Sequence, residues 1–384
     1  CELHRLCSST VLDFLLCCSF ASSERHRHGW SLVSEAFMDS PVIQRWLSSD
    51  ELHHRVLKRQ RYYVDELHQA SVDDVGDVGG RSSSRSDVLI EGFRPGVTER
   101  LGLGPEVCLA KNPRLIYGRI TGWGQEGPMA QVVGHDINFL ALTGALDAIG
   151  REGQAPVPPI NLGADFGGGT LYLLMGIWAA LYESKSSGKG QVIDAAMVDG
   201  VASLMTQPHG SFAAGIMSTE RGTNATDSGA PFYDAYECSD GKWVTLGAVE
   251  SKFYAQALKI LGLEELLADQ WKKDQWPQAK QHIANRIRTQ SRDHWCAVYE
   301  GTDSCFAPVL NLKEAPEHPH LKARGTYLEI EGVTQPAPAP RFSRSVPDAP
   351  QAFRPWKAEE AKDILSPWLS PSEVEAFLKS ILMN

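Results

Sequence analysis

The sequence predicts an α/β fold: a large domain on a parallel sheet, followed by a smaller α+β domain. Three observations point to that class. Short β-branched runs alternate with helix-like segments from residue 86 onward, glycine-rich turns close most of the runs, and a hairpin-like stretch at 231–249 interrupts the alternation.

The elements follow in order. "DVLIEGF" (87–93) is an apolar run closed by Arg94-Pro95-Gly96, and predicts a strand. "GPEVCLAKN" places Pro105 at a first helical turn, where its missing N–H costs nothing. "PRLIYGRITGWG" (113–124) predicts a second strand that ends in glycines. Strand, helix and strand this close together predict a βαβ unit, hence parallel pairing. A helix over "HDINFLALTGAL" follows, then the loop "GREGQAPVPP". "INLGADFGGG" leads into a helix at 171–184, and the turn "SSGKG" precedes a strand "GQVIDAAM".

At 231–249 two strand-like runs are joined by Ser239-Asp240-Gly241, a hairpin signal. The Pro-rich 335–356 predicts extended chain. Ser370-Pro371-Ser372-Glu373 has capping-box spacing, with Val374, Phe377, Leu378 and Ile381 on one helical face.

Composition excludes several functions. A net charge of -10 over 384 residues leaves no general basic face for nucleic acid. No window of 18 or more apolar residues is expected, "LYLLMGIWAALY" at 171–182 being the nearest, so no membrane span is predicted. The eight Cys lack CxxC spacing and four crowd residues 1–18, which predicts reduced thiols in an intracellular protein and no metal site. Residues 1–85 form an atypical segment: they hold half of the 12 His, Lys58 is their one lysine, and no period of 2 or 3.6 runs through them.

Four acidic or imidazole groups stand at three element ends, where open α/β sheets build their sites. His135 and Asp136 open a helix, Asp165 precedes Gly167-Gly168-Gly169, and Glu250 follows the strand "KWVTLGAV". Each has an ordinary explanation as well. Asp136 and Asp165 stand where N-caps stand, His135 has the position of a partly buried histidine, and Glu250 that of a solvated loop residue. Glycines after Asp165, and Gly122 and Gly124 around Trp123, would let a ligand approach the backbone.

The motifs "DVLIEGFRPGVTERLGLGPE", "NPRLIYGRITGWGQEGP", "GHDINFLALTGAL", "PPINLGADFGGG", "SGKGQVIDAAMVDG", "SGAPFYDAYECSDGKW", "GAVESKFY" and "QPAPAPRFSR" together closely resemble the α-methylacyl-CoA racemases of the family III CoA-transferase superfamily. The resemblance covers roughly 86–350. It implies a large Rossmann-like, CoA-binding α/β domain at 86–200, a linker at 201–229, a small α+β domain at 230–325 and a C-terminal return at 326–384. Residues 1–85 lack the strand and helix that open the sheet in that family.

The resemblance also implies roles. His135, Asp165 and Glu250 fall on the catalytic His, Asp and Glu, Asp136 supplies a backbone N–H to the thioester oxygen, and Arg94 and Arg100 fall on arginines that contact CoA phosphates. Epimerising a 2-methylacyl-CoA requires removal of the C2 proton on one face and return on the other. Asp165 would serve one face and His135, oriented by Glu250, the other, through an enolate whose oxygen needs a fixed donor. No metal or redox cofactor is required, CoA being part of the substrate.

The resemblance further implies an interlocked homodimer with Glu250 opposite His135 across the subunit boundary, and a peroxisomal or mitochondrial location, although the C-terminal "ILMN" is no peroxisomal address. Close relatives often carry Tyr where this chain has Phe139. The alternatives are a CoA transferase with Asp165 as covalent nucleophile, and an inactive acyl-CoA-binding homologue defined by residues 1–85. Co-occurrence of His135 and Glu250 favours the racemase, since a carboxylate nucleophile needs neither.

Overall fold

The computed structural model describes residues 86–350, 370–372 and 374–375. The atypical 1–85 segment, the end of the Pro-rich stretch and Phe377, Leu378 and Ile381 of the predicted C-terminal helix lie outside the described residues. The described residues divide into two compact units, one containing 86–139, 161–203 and 340–350, the other 140–160 and 204–339.

The first unit is built on three parallel strands in the order β1 (Val88–Glu91), β2 (Ile116–Thr121), β3 (Gln191–Ala196). The expected βαβ unit is present. Between β1 and β2 lie α1 (Val97–Arg100) and α2 (Pro105–Lys111), with Pro105 at the first turn as its missing N–H predicts. Pro95 and Gly96 form a type II turn: Val97 N–H donates to Arg94 O at 3.1 Å and Gly96 has φ 86° and ψ -4°.

Strand β2 is central, so both of its faces are buried and the period of two sorts them. Tyr117 and Arg119 face α1 and α2, the Tyr117 hydroxyl donating to Leu103 O at 2.8 Å. The opposite face meets α4 (Leu171–Ser187), whose Leu173, Ile177, Ala180 and Ser184 make one buried stripe. Gly118 is required there, because a Cβ would stand 2.9 Å from Leu173 Cδ1.

Two helices differ from expectation. The "HDINFLALTGAL" segment is helical only as α3 (Asp136–Leu142), and stops where Gly144 adopts φ 79°. "LGADFGGGT" is not a loop before a helix but a π-helix (Leu162–Thr170) that runs directly into α4. The joined 162–187 stretch of 26 residues contains an 18-residue window of mean hydropathy 1.2, long and apolar enough to cross a membrane by length and composition. One face of it packs on the sheet, with Gly176 against Ile193 and Gly169 against Ile120.

After β3 comes α5 (Met197–Leu204). Gly168 and Gly200 let this helix touch the π-helix backbone to backbone; a Cβ on Gly200 would lie only 1.8 Å from Gly168 O.

The second unit starts its own sequence run with α6 (Thr206–Ala213) and centres on an antiparallel sheet of β4 (Tyr233–Glu237), β5 (Trp243–Gly247) and β6 (Phe306–Pro308). The predicted hairpin is the β4–β5 pair, turning at Gly241 with φ 72°. Helices α7 (Ser251–Leu261), α8 (Trp276–Ile287) and α9 (Arg292–Tyr299) cover it, burying Tyr254, Leu258, Ile283 and Trp295 against Phe232, Val244 and Leu246. A short α10 (Pro319–Ala323) precedes the hairpin β7 (Tyr327–Ile330) and β8 (Val333–Pro336), joined by Glu331 and Gly332, both at positive φ as a two-residue turn demands.

Residues 140–160, which the sequence places within the 86–200 stretch, group here with the second unit. Arg151 forks onto the buried Asp234 carboxylate at 2.8 and 3.1 Å, and Arg221 bonds Asp147 at 2.7 Å.

Candidate active site

In the first unit a cleft opens beyond the carboxyl ends of the parallel strands, the place such sheets reserve for ligands. Its walls come from Gly92–Pro95 after β1, Ile120–Trp123 at the end of β2, and Met197 after β3. Ala130, Val132–His135, Phe139 and Asp165 complete it. Of the residues singled out in the sequence, His135, Asp165, Arg94 and Gly122 therefore line one cavity. Asp136, Arg100 and Gly124 do not, and Glu250 belongs to the second unit.

The local structure explains how His135 and Asp165 are held. His135 precedes α3, and its backbone N–H donates to Asn138 Oδ1 at 3.0 Å while its carbonyl accepts from Asn138 N–H at 2.8 Å. The imidazole-bearing residue is exposed.

Asp136, expected as a cap of its own helix, caps the other one. Its Oδ2 accepts from the N–H of Ala164 at 2.7 Å and of Asp165 at 2.9 Å, satisfying two first-turn donors of the π-helix. Asp136 is 5 % exposed, and its Oδ1 has no hydrogen bond.

Asp165 is correspondingly not an N-cap but an interior π-helical residue. Asn161 Nδ2 donates to its Oδ2 at 3.3 Å, and its carbonyl accepts from Thr170 Oγ1 at 2.9 Å. π-Helical turns widen the chain locally and recur at functional sites.

The glycines act inwardly. At Gly122 a Cβ would stand 2.1 Å from the Phe139 ring, and at Gly134 2.7 Å, so both make room for Phe139, which meets Trp123 edge-on at 4.7 Å between centroids. Gly124 is buried at φ 91° and serves a turn. Gly168 and Gly169 are buried and pack on α5, and are closed to a ligand.

Arg94 stands at the first position of the Pro95-Gly96 turn and is half-buried. Arg100 ends α1, exposed, its guanidinium folded back over Gly96. In the second unit Glu250 is the exposed N-cap residue of α7 and makes no side-chain cap bond; its carbonyl accepts from Tyr254 N–H at 3.0 Å.

The sequence reading missed the apolar lining, Phe93, Val132, Val133 and Met197. Met197 was accessible to the strand-end rule, because it follows β3 directly.

Comparison with known proteins adds the relationship. The profile of CoA-transferase family III matches residues 83–358. A protein from Mus musculus named alpha-methylacyl-CoA racemase is 46% identical over 293 residues, 74% of this chain and 75% of that protein. Its counterpart of the same name in Homo sapiens is 43% identical over 288 residues, 74% and 75% of the two chains. The crystal structure of a CaiB/BaiF family protein from Brucella suis superposes with a TM-score of 0.62 at 26% identity, covering 76% of this chain and 78% of that one.

Proposed function

The chain belongs to CoA-transferase family III, and on that premise we propose that it is a racemase interconverting the 2R and 2S epimers of 2-methylacyl-CoA thioesters. One observation carries the reading. A chain 43–46% identical to two proteins named for that activity lines a single cleft with both an imidazole residue, His135, and a carboxylate residue, Asp165.

The mechanism uses them as bases on opposite faces of C2. One removes the proton and the enolate forms; the other returns a proton from the far side. The family resemblance assigns the enolate oxygen to the Asp136 N–H, a first-turn donor beside the cleft-lining His135, and one such donor is worth roughly 3 kcal/mol. Of the apolar lining, Phe139 and Met197 are buried beneath the cleft, while Val132 and Val133 are half exposed at its mouth and would lose their water only under a bound acyl chain. Arg94 is the proposed phosphate anchor, with Arg100 as its neighbour. Glu250 enters as partner of the imidazole through the family resemblance alone. Proton transfer is the whole reaction, so no metal or redox group takes part in the scheme.

The test uses the purified chain, a single C2 epimer of a 2-methylacyl-CoA, and D₂O. Deuterium at C2 with loss of stereochemical purity is the expected result, and His135→Ala or Asp165→Ala should each lower the rate by about 10² to 10⁴. Near-full epimerisation in either variant overturns the two-base assignment. Exchange of CoA between acids without epimerisation establishes a transferase with Asp165 as nucleophile, and CoA binding with neither reaction establishes an inactive homologue.

A further inference from the structure

The segment that carries Arg94 is gripped from inside the sheet. Arg119 points from β2 away from the cleft, its side chain only 7% exposed. Its Nε donates to Glu91 Oε1 at 2.6 Å, its Nη1 to Glu99 Oε1 at 2.8 Å, and its Nη2 to Glu99 Oε2 and Thr98 Oγ1, both at 3.3 Å.

Glu91 ends β1, and its second oxygen accepts from Phe93 N–H at 2.8 Å. Glu99 and Thr98 lie in α1, on the far side of the Pro95-Gly96 turn. One guanidinium thus joins the chain entering the cleft wall at 92–95 to the chain leaving it. Gln131 Nε2 adds a third tie, donating to Pro95 O at 3.0 Å.

The charges agree with a locked hub. Burial pushes Glu91 above its ordinary carboxylate value against the pull of Phe93 N–H and Arg119. Burial raises Glu99 too, but the Arg119 bonds prevail and hold it below its ordinary value. A planar fork spans two carboxylates at once; a lysine ammonium meets them as a single point.

We propose that Arg119 is a positioning residue for substrate binding: without touching the cleft, it sets the conformation of the 92–96 segment and so the place of Arg94 relative to the CoA moiety. The inference rests on the proposed acyl-CoA specificity. It differs from a purely structural role in one respect: its loss should fall on ground-state binding through Arg94, and leave chemistry at His135 and Asp165 intact.

The experiment is a double-mutant cycle on CoA affinity, read by calorimetry, with kcat and KM for epimerisation and the melting temperature measured in parallel. Arg119→Lys keeps the buried charge, and Glu99→Gln removes one arm at a half-exposed carboxylate, so a folded protein is available even if a larger truncation unfolds. Each should raise the CoA Kd and the substrate KM about tenfold, the size of a lost charge-assisted hydrogen bond, with kcat nearly unchanged.

Arg94→Ala should weaken CoA binding in the wild-type background and far less in Arg119→Lys, because the two act through one contact. Unchanged KM and Kd in folded variants, or fully additive losses with Arg94→Ala, overturn the inference. If wild type binds CoA but epimerises nothing, the proposed function fails, and the CoA dissociation constants still decide the role of Arg119.

Discussion

Asp136 stands beside His135 in sequence and beside Asp165 in space, and its buried carboxylate holds the backbone from which Asp165 projects. Asp136→Ala leaves the main-chain N–H in place and removes only this tie, so kcat should fall about 10²-fold, the cost of misplacing a base by an ångström, with KM little changed. Asp136→Asn retains an oxygen for both N–H groups and should stay within a few-fold of wild type. Steady-state kinetics of the two variants decide it: equal, large losses in both would show that the negative charge at the start of the π-helix, not the acceptor geometry, matters. The motifs singled out His135 and Asp165, and the fold brings both to one cleft. The acceptor role of Asp136 was not legible in the sequence, because its partners are 28 and 29 positions away.

Among the elements, the π-helix and α5 depend on two glycines with no room for a side chain. Gly200→Ala would drive its methyl into Gly168 O, and should destabilise the first unit by about 3 kcal/mol, the upper range for overpacking, visible as an earlier denaturant midpoint. A wild-type midpoint in that variant would mean that α5 can slide away at little cost.

In the second unit the side chain of Arg292, on α9, is 7% exposed and bonds Glu314 at 2.6 and 3.1 Å and Val309 O at 2.8 Å. The Arg292 bond holds the Glu314 carboxyl down at about 2. Its contribution to stability is present above the ordinary value of 4.5 and is lost as pH falls from there through about 2. Glu314→Gln should therefore melt below wild type near neutrality and match it at the acid end of that window, as a pH series of thermal melts would show. Element types were largely legible, since β-branched runs, Pro105 and the Asp240-Gly241 turn are local signals. The early stop of α3 and the π-helical path of 162–170 were not, because periodicity records apolar spacing rather than which carbonyl each N–H reaches.

For the whole molecule, the exposed side of α4 carries Leu171, Met175, Trp178 and Tyr182, spaced as one helical stripe and 51–76% exposed. An apolar stripe of that kind is a surface that a second copy of the chain would cover in the homodimer that the family resemblance implies. Sedimentation equilibrium should return twice the 42.2 kDa chain mass, and Trp178→Glu should shift it toward the monomer; a wild-type monomer at micromolar concentration would reject the dimer.

The sequence by itself determined the α/β class, the parallel βαβ start, the antiparallel hairpin of the second unit and, through a series of ordered motifs, the family. Those features are written in neighbouring residues, as period-two runs, turn chemistry and contiguous words. Only the tertiary structure decided that 140–160 groups with the second unit, that Gly168 and Gly169 serve helix packing, and that Arg119 ties together the two ends of the cleft wall. Each of these rests on partners far apart in the chain, such as Arg151 and Asp234 at a separation of 83. Such pairs are brought together by burial and hydrogen-bond satisfaction in the folded chain, and no local pattern encodes them.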